Sequence, residues 1–302
     1  MTAHRARIED QIRTLDEATD DAQSSEQVSE AKWGRESMQF TEERVEEGDV
    51  RRYSFSLTVA GDAVPAVLWA PNGAKGARPL VLMGHGGSQH KKTPGIVARA
   101  RQYAKRLGYA TLAIDAPGHG DRISRERAAA IAREVGARVL GRGPAPTFDA
   151  ERLRQMAERM RQAVPEWNGA LAAVRQLDFV GATEPVGYWG VSMGTAIGVP
   201  FVAQCSAISC AVFGLAGLRP NAPEFAAAAK AIKIPVEFVF QWDDAVAPRE
   251  HGLALFEAFG SSEKTMHINP GGHLDIPRFE GASWERFYQR HLGVAADAQR
   301  AA

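Results

Sequence analysis

The sequence predicts an α/β fold: a mostly parallel, eight-stranded sheet with helices on both faces and a helical insertion. Three observations carry this. Short, wholly apolar runs such as Leu80-Val81-Leu82-Met83 alternate with stretches whose apolar residues recur at helical spacing. Strands without a polar face must be buried on both sides, and a parallel sheet covered by helices does that. Glycine and proline mark the ends of the runs, and one segment, 122–164, carries helical patterns with no strand between them.

Residues 1–48 are polar, with a short helical stripe at Ile8, Ile12 and Leu15. They are expected to form an N-terminal helical extension that packs on the main domain or on a second subunit, which leaves a homodimer open. From Tyr53 the pattern alternates: Tyr53, Phe55, Leu57 and Val59 share one side, Gly61-Asp62 turns, and Val64 to Trp69 follows. That is an antiparallel hairpin with one wet face. Leu80 to Met83 is the next strand. Thr93-Pro94 opens a helix whose face is Ile96, Ala100, Tyr103 and Leu107, and Gly108 closes it. Tyr109 to Ile114, Val186 to Val191, Ile208 to Leu215, Val236 to Phe240 and Thr265 to Ile268 complete the strands. Leu253, Phe256 and Phe259 mark one later helix, and Trp284, Phe287, Tyr288 and His291 mark the last. The main domain is therefore read as 49–292, and 293–302 as a tail. In such sheets the ligand site lies beyond the carboxyl ends of the strands.

The insertion reads as a cap over those strand ends, with one helix around Ile131 to Leu140 and another around Leu153, Met156 and Met160. Residues 122–163 hold ten arginines against five acids, a surplus of +5. This is either a solvated helix face or a preference for anionic substrates.

The chain has 302 residues, 45% apolar content and a formal net charge of zero. One large core fits this length, and nothing global attracts nucleic acid or an anionic membrane. The N-terminus has no apolar signal-peptide core, and no run approaches the ~18 apolar residues of a membrane helix. The two cysteines, Cys205 and Cys210, are too close in sequence to staple a fold. A cytoplasmic protein is expected.

The chemistry starts at Gly190-Val191-Ser192-Met193-Gly194. It follows an apolar strand and precedes a helix rich in small residues, so Ser192 sits on a sharp strand-to-helix turn with its hydroxyl exposed. Pro200 predicts a kink or an early end to that helix. A serine hydroxyl needs a base, and the base needs an orienting acid. His273, in the loop Asn269-Pro270-Gly271-Gly272-His273 after the last strand, is the base. Asp244, which opens Asp244-Ala245-Val246-Ala247-Pro248 before the next helix, is favoured over its neighbour Asp243 as the acid; successive strand residues point to opposite faces, so only one of the two should reach His273. The oxyanion requires two preorganised N–H donors. They are assigned to Met193 and to Gly87 in Gly84-His85-Gly86-Gly87, with Gly86 as fallback. His85 reads as fixing its loop, His119 as a hydrogen-bonded turn residue, His267 as a core or edge residue and His291 as structural. Trp242, Met193, Phe148, Leu153 and Met156 could line an acyl pocket, so Gly86, Trp242, Phe148 and Met156 are candidate substrate-binding residues.

With these motifs in chain order, the sequence resembles the α/β-hydrolase superfamily in its dienelactone-hydrolase-like or esterase branch. The resemblance covers about residues 50–292 and rests on Gly84-His85-Gly86-Gly87, Asp115-Ala116-Pro117-Gly118-His119-Gly120, Gly190 to Gly194, Asp244 and His273. Dienelactone hydrolases proper use cysteine; Ser192 here, with the insertion, implies a carboxylesterase. The expected activity is hydrolysis of a small-molecule carboxylic ester or lactone through an acyl-enzyme, with no metal or organic cofactor. The same constellation could cleave a carbon–carbon bond or an amide, and a receptor on this fold would have lost a triad member.

Overall fold

The computed structural model describes residues 38–46, 49–139 and 150–293. Its centre is a nine-stranded sheet in the order β1-β2-β3-β5-β4-β6-β7-β8-β9. The strands are β1 (Gln39–Glu46), β2 (Val50–Val59), β3 (Asp62–Pro71), β4 (Leu80–Gly84), β5 (Ala110–Ile114), β6 (Val186–Val191), β7 (Ile208–Gly214), β8 (Val236–Gln241) and β9 (Lys264–Asn269). β1, β2 and β3 pair antiparallel, β3 joins β5 antiparallel, and β4 to β9 pair in parallel.

The ninth strand corrects the expectation of eight. It also shortens the expected helical extension, since Gln39–Glu46 is extended. Phe40 brings its ring 5.6 Å from Phe55 and 6.4 Å from Tyr53, so the strand is held by cross-strand aromatic contact that β2 alone does not reveal. The stripe at Ile8, Ile12 and Leu15 and the tail from 294 lie outside the described residues. The hairpin is wetter in prospect than in fact: Val67 and Trp69, on the second side of β3, are buried under the first helix.

Helices α1 (Pro94–Leu107) and α7 (Glu280–Leu292) cover one sheet face. Helices α3 (Ala150–Val174), α4 (Met193–Gln204), α5 (Pro223–Ala231) and α6 (Arg249–Ala258) cover the other. In α1 the buried residues include Ile96, Ala100, Tyr103 and Leu107, and Gly108 ends the helix at φ 73°. Thr93 makes no side-chain cap; its hydroxyl accepts from the His90 N–H at 2.9 Å.

Helix α2 (Arg125–Val139) and the first half of α3 make up the 122–164 segment. The structure joins that segment to the core rather than ending it at 164. α3 runs on through Pro165 and buries Trp167, Ala170, Leu171 and Val174 against the sheet. Arg122 pins the junction, donating to Glu166 at 2.7 Å. α4 likewise continues through Pro200 to Gln204 instead of stopping there. Cys205 and Cys210 are both free thiols. No helix among the described residues is long and apolar enough to cross a membrane.

Candidate active site

Ser192 stands between β6 and α4 at φ 57°, ψ −118°. A side-chain-bearing residue pays for that conformation only where its surroundings fix it, and here they do. Its N–H donates to Gly214 O at 2.8 Å, beyond the end of β6 on the neighbouring strand. The Thr195 hydroxyl lies 2.8 Å from Gly190 O and 2.6 Å from Gly214 O, and it accepts from the Gly214 N–H at 2.9 Å. The glycines on either side are obligatory. A Cβ on Gly190 would sit 2.7 Å from Gly194 O, and one on Gly194 would press into the backbone of Gly84.

The serine faces a histidine and an aspartate brought in from two other strands. His273 Nε2 lies 2.9 Å from Ser192 Oγ, and His273 Nδ1 lies 2.7 Å from Asp244 Oδ2. Asp244 is buried, and its other oxygen accepts from the N–H groups of Val246 and Ala247 at 2.8 and 2.9 Å. Asp243 points elsewhere: its carboxylate accepts from the Gly271 N–H at 3.1 Å and so holds the loop that carries His273. The two acids lie on the turn that follows β8 and face different partners.

Beside the serine, the β4–α1 loop offers Gly86 and Gly87. The Gly86 N–H is taken by Gln89 Oε1 at 3.1 Å. Among the described residues, no protein acceptor takes the N–H of Gly87 or of Met193. His85 fixes this loop from beneath. Its Nδ1–H donates to Gly86 O at 2.9 Å, and its Nε2 accepts from the Ala116 N–H at 3.0 Å. Burial lowers its pKa to about 4, so the neutral ring that this pairing needs is the one present. His119 donates to Pro117 O at 3.0 Å within its own turn, and burial lowers its pKa too. His291 pairs with Glu263 at 3.4 Å on the last helix.

Ser192, Met193, Gly86, Gly87 and His273 line one cavity of about 2140 Å³. Insertion residues Arg127, Ile131, Val135, Arg159 and Met160 line it as well. Trp242 does not. It is half exposed beneath Arg249, whose guanidinium lies 4.6 Å from the ring, because the turn before Asp244 directs it outward. That corrects its expected place in the pocket. Phe148, and the side chains of Leu153 and Met156, lie outside the described residues.

Sequence reasoning missed the buried Lys91. Its Nζ lies 2.5 Å from both Asp115 and Asp121, and its N–H donates to Asp115 at 2.9 Å. This cluster shapes the Asp115 to Gly120 turn, and Lys91 pulls the Asp121 carboxyl below its usual range. One lysine of the Lys91-Lys92 pair in a loop carries no mark of this in sequence. Thr195 was legible only as a small residue; its role depends on a neighbour, Gly214, that the fold supplies.

No protein-family model and no curated protein matches the chain. Solved structures do. A cold-adapted esterase from an Arctic intertidal metagenomic library, in a PEG-bound complex, is 30% identical, with a TM-score of 0.70 over 84% of this chain and 100% of that one. The acetyl xylan esterase from Paenibacillus sp. R4 is 17% identical, with a TM-score of 0.64 over 85% of this chain and 89% of that one. The dienelactone hydrolase from Anabaena variabilis is 20% identical, with a TM-score of 0.55 over 81% and 99%. The last two share the fold.

Proposed function

The chain belongs to the α/β-hydrolase superfamily, and from that premise we propose that it is a serine esterase acting on small-molecule carboxylic esters or lactones, with Ser192, His273 and Asp244 as its triad. The observation that carries this is the continuous chain of contacts, 2.9 Å from Ser192 to His273 and 2.7 Å from His273 to Asp244. Ser192 Oγ attacks the ester carbonyl as its proton passes to His273 Nε2. Asp244 holds the ring in the Nδ1–H form and stabilises the imidazolium. The N–H groups of Gly87 and Met193 receive the oxyanion; Gly86, whose N–H is engaged by Gln89, is the weaker candidate. His273 then protonates the leaving alcohol. A water activated by the same ring clears the acyl-enzyme and restores Ser192.

The similarity to the Arctic esterase favours an ester over a carbon–carbon bond or an amide. Ile131, Val135 and Met160 among the cavity lining support an apolar acyl or alcohol group. Arg127, Arg159 and Arg278 among its lining support an ester that carries an anionic group elsewhere. The two free thiols support a reducing, cytoplasmic setting. Ser192→Ala tests the central claim: it abolishes p-nitrophenyl ester turnover and fluorophosphonate labelling, and full turnover in that variant would overturn it.

A further inference from the structure

Three ionisable side chains that the esterase mechanism does not use meet beneath the loops that carry the acid and the base. Glu237 lies on β8, His267 on the edge strand β9, and Glu280 at the first turn of α7. β8 and β9 are parallel, with Glu237 opposite Thr265 and Val239 opposite His267. Glu237 and His267 are therefore diagonal neighbours on one face of the sheet, and α7 brings Glu280 over that face. His267 Nδ1 lies 2.8 Å from Glu280 Oε2 and 3.8 Å from Glu237 Oε1. One ligand atom from each residue falls within 4.8 Å of the other two.

The charge balance of this cluster is poor without a further cation. Glu237 and Glu280 are 5% and 1% exposed. No lysine or arginine among the described residues pairs with either. Glu237 Oε1 is buried with no hydrogen-bond partner and is turned toward His267. Such an orphan is rare and calls for a reason. Glu280, by contrast, is oriented from behind: its second oxygen accepts from Asn269 Nδ2 at 2.9 Å. A carboxylate held by an outer hydrogen bond is how metal ligands are commonly aimed.

We propose that Glu237, His267 and Glu280 form a binding site for a borderline divalent transition-metal ion of the zinc type. One imidazole nitrogen and two carboxylate oxygens are a donor set that Zn²⁺ accepts. Imidazole favours it over Mg²⁺ or Ca²⁺, which want six or more oxygens. Two atoms that both ligate zinc at ~2.0–2.2 Å stand roughly 3–4 Å apart; His267 Nδ1 lies within that range of Glu237, at 3.8 Å, and slightly inside it from Glu280, at 2.8 Å. His267 is half-buried, so the fourth position opens toward water. None of the three residues lines the catalytic cavity, so the ion takes no part in ester cleavage. It would brace the two strands that end just before Asp244 and His273, and fix α7 to them.

The experiment uses the full chain stripped with a chelator. Equilibrium dialysis against Zn²⁺ is expected to give one ion per chain above any count in the variants. With free zinc about a hundredfold above Kd, Tm should rise by about 5 °C or more. Mg²⁺ and Ca²⁺ at the same concentration should leave Tm unchanged. His267→Gln should lose the ion and the Tm rise while keeping p-nitrophenyl ester turnover. Glu237→Gln guards against a variant that merely misfolds. It removes a buried negative charge while keeping the side chain's shape, so its metal-free Tm should equal or exceed that of the parent, yet it too should lose the zinc-dependent rise. Absence of stoichiometric zinc in the parent, or an undiminished zinc response in both variants, overturns the proposal.

Discussion

Replacing Asp244 with asparagine tests how the acid works, because the structure dictates which way the new amide must turn. Asp244 Oδ1 accepts from the N–H groups of Val246 and Ala247, while Oδ2 faces His273 Nδ1. An asparagine has one oxygen, and two backbone donors claim it. Turning the oxygen toward His273 instead would leave two buried N–H groups unpaired, at about 1–3 kcal/mol each, to gain one hydrogen bond of about 0.5–1.5 kcal/mol. The NH2 group therefore faces Nδ1, which must then be bare, and the ring carries its proton on Nε2. That nitrogen can no longer take the proton of Ser192, 2.9 Å away. The expected fall in kcat is about 10⁴-fold, the size seen when a triad acid is neutralised, or about 5 kcal/mol of transition-state stabilisation. Steady-state turnover of p-nitrophenyl acetate, with Tm as the control for folding, measures it. Both backbone caps survive the substitution, so Tm should barely move. Asp243→Asn keeps an oxygen for the Gly271 N–H, and its kcat should stay within about threefold of the parent. An Asp244→Asn enzyme that keeps a tenth of its turnover, or an Asp243→Asn enzyme equally disabled, would refute the reasoning.

Other expectations follow from the same contacts. Gly194→Ala forces a Cβ into the Gly84 backbone; it should cost about 1–3 kcal/mol in urea unfolding and lower kcat by shifting the Ser192 turn. Lys91→Met strands the buried Asp115 carboxylate and should destabilise by about 3–5 kcal/mol in the same assay. His85 binds its proton more weakly when folded, at about pH 4 against the ordinary 6.5. The unfolded chain therefore holds the extra proton between those values, and stability present above pH 6.5 declines as pH falls toward 4, by up to about 3 kcal/mol. Unfolding series from pH 7 to 4 should show a shallower decline in His85→Asn than in the parent.

What the sequence made legible follows from the range of the interactions involved. The Ser192 turn could be read because its requirements are local: an apolar strand before it, small residues after it, and glycines where a Cβ would collide. The order of Asp244 and His273 after it could be read because both close short apolar strands, and a parallel sheet places all such ends on one side. β1 escaped because its segment, Gln39–Glu46, is polar at six of eight positions and becomes a strand only by pairing with β2. The continuation of α3 past Pro165 escaped because proline is a penalty on a helix, not a prohibition, and the burial of Trp167 and Leu171 outweighs it.

The same distinction separates the proposed triad from the groups around it. Asp244 and His273 announce themselves by residue type and position, whereas Thr195 and Lys91 act through Gly214, Asp115 and Asp121, partners that only the fold brings to them. Lys91 is the clearest case. Its partners Asp115 and Asp121 are 24 and 30 residues away, and a lysine almost never buries itself without such partners. The Asp115 to Gly120 motif that carries part of the family resemblance is, in the fold, a turn held by that lysine and by the Nε2 of His85 through Ala116. In the proposed mechanism its contribution is to keep the β4–α1 loop, and with it the Gly87 N–H, in place before the substrate arrives.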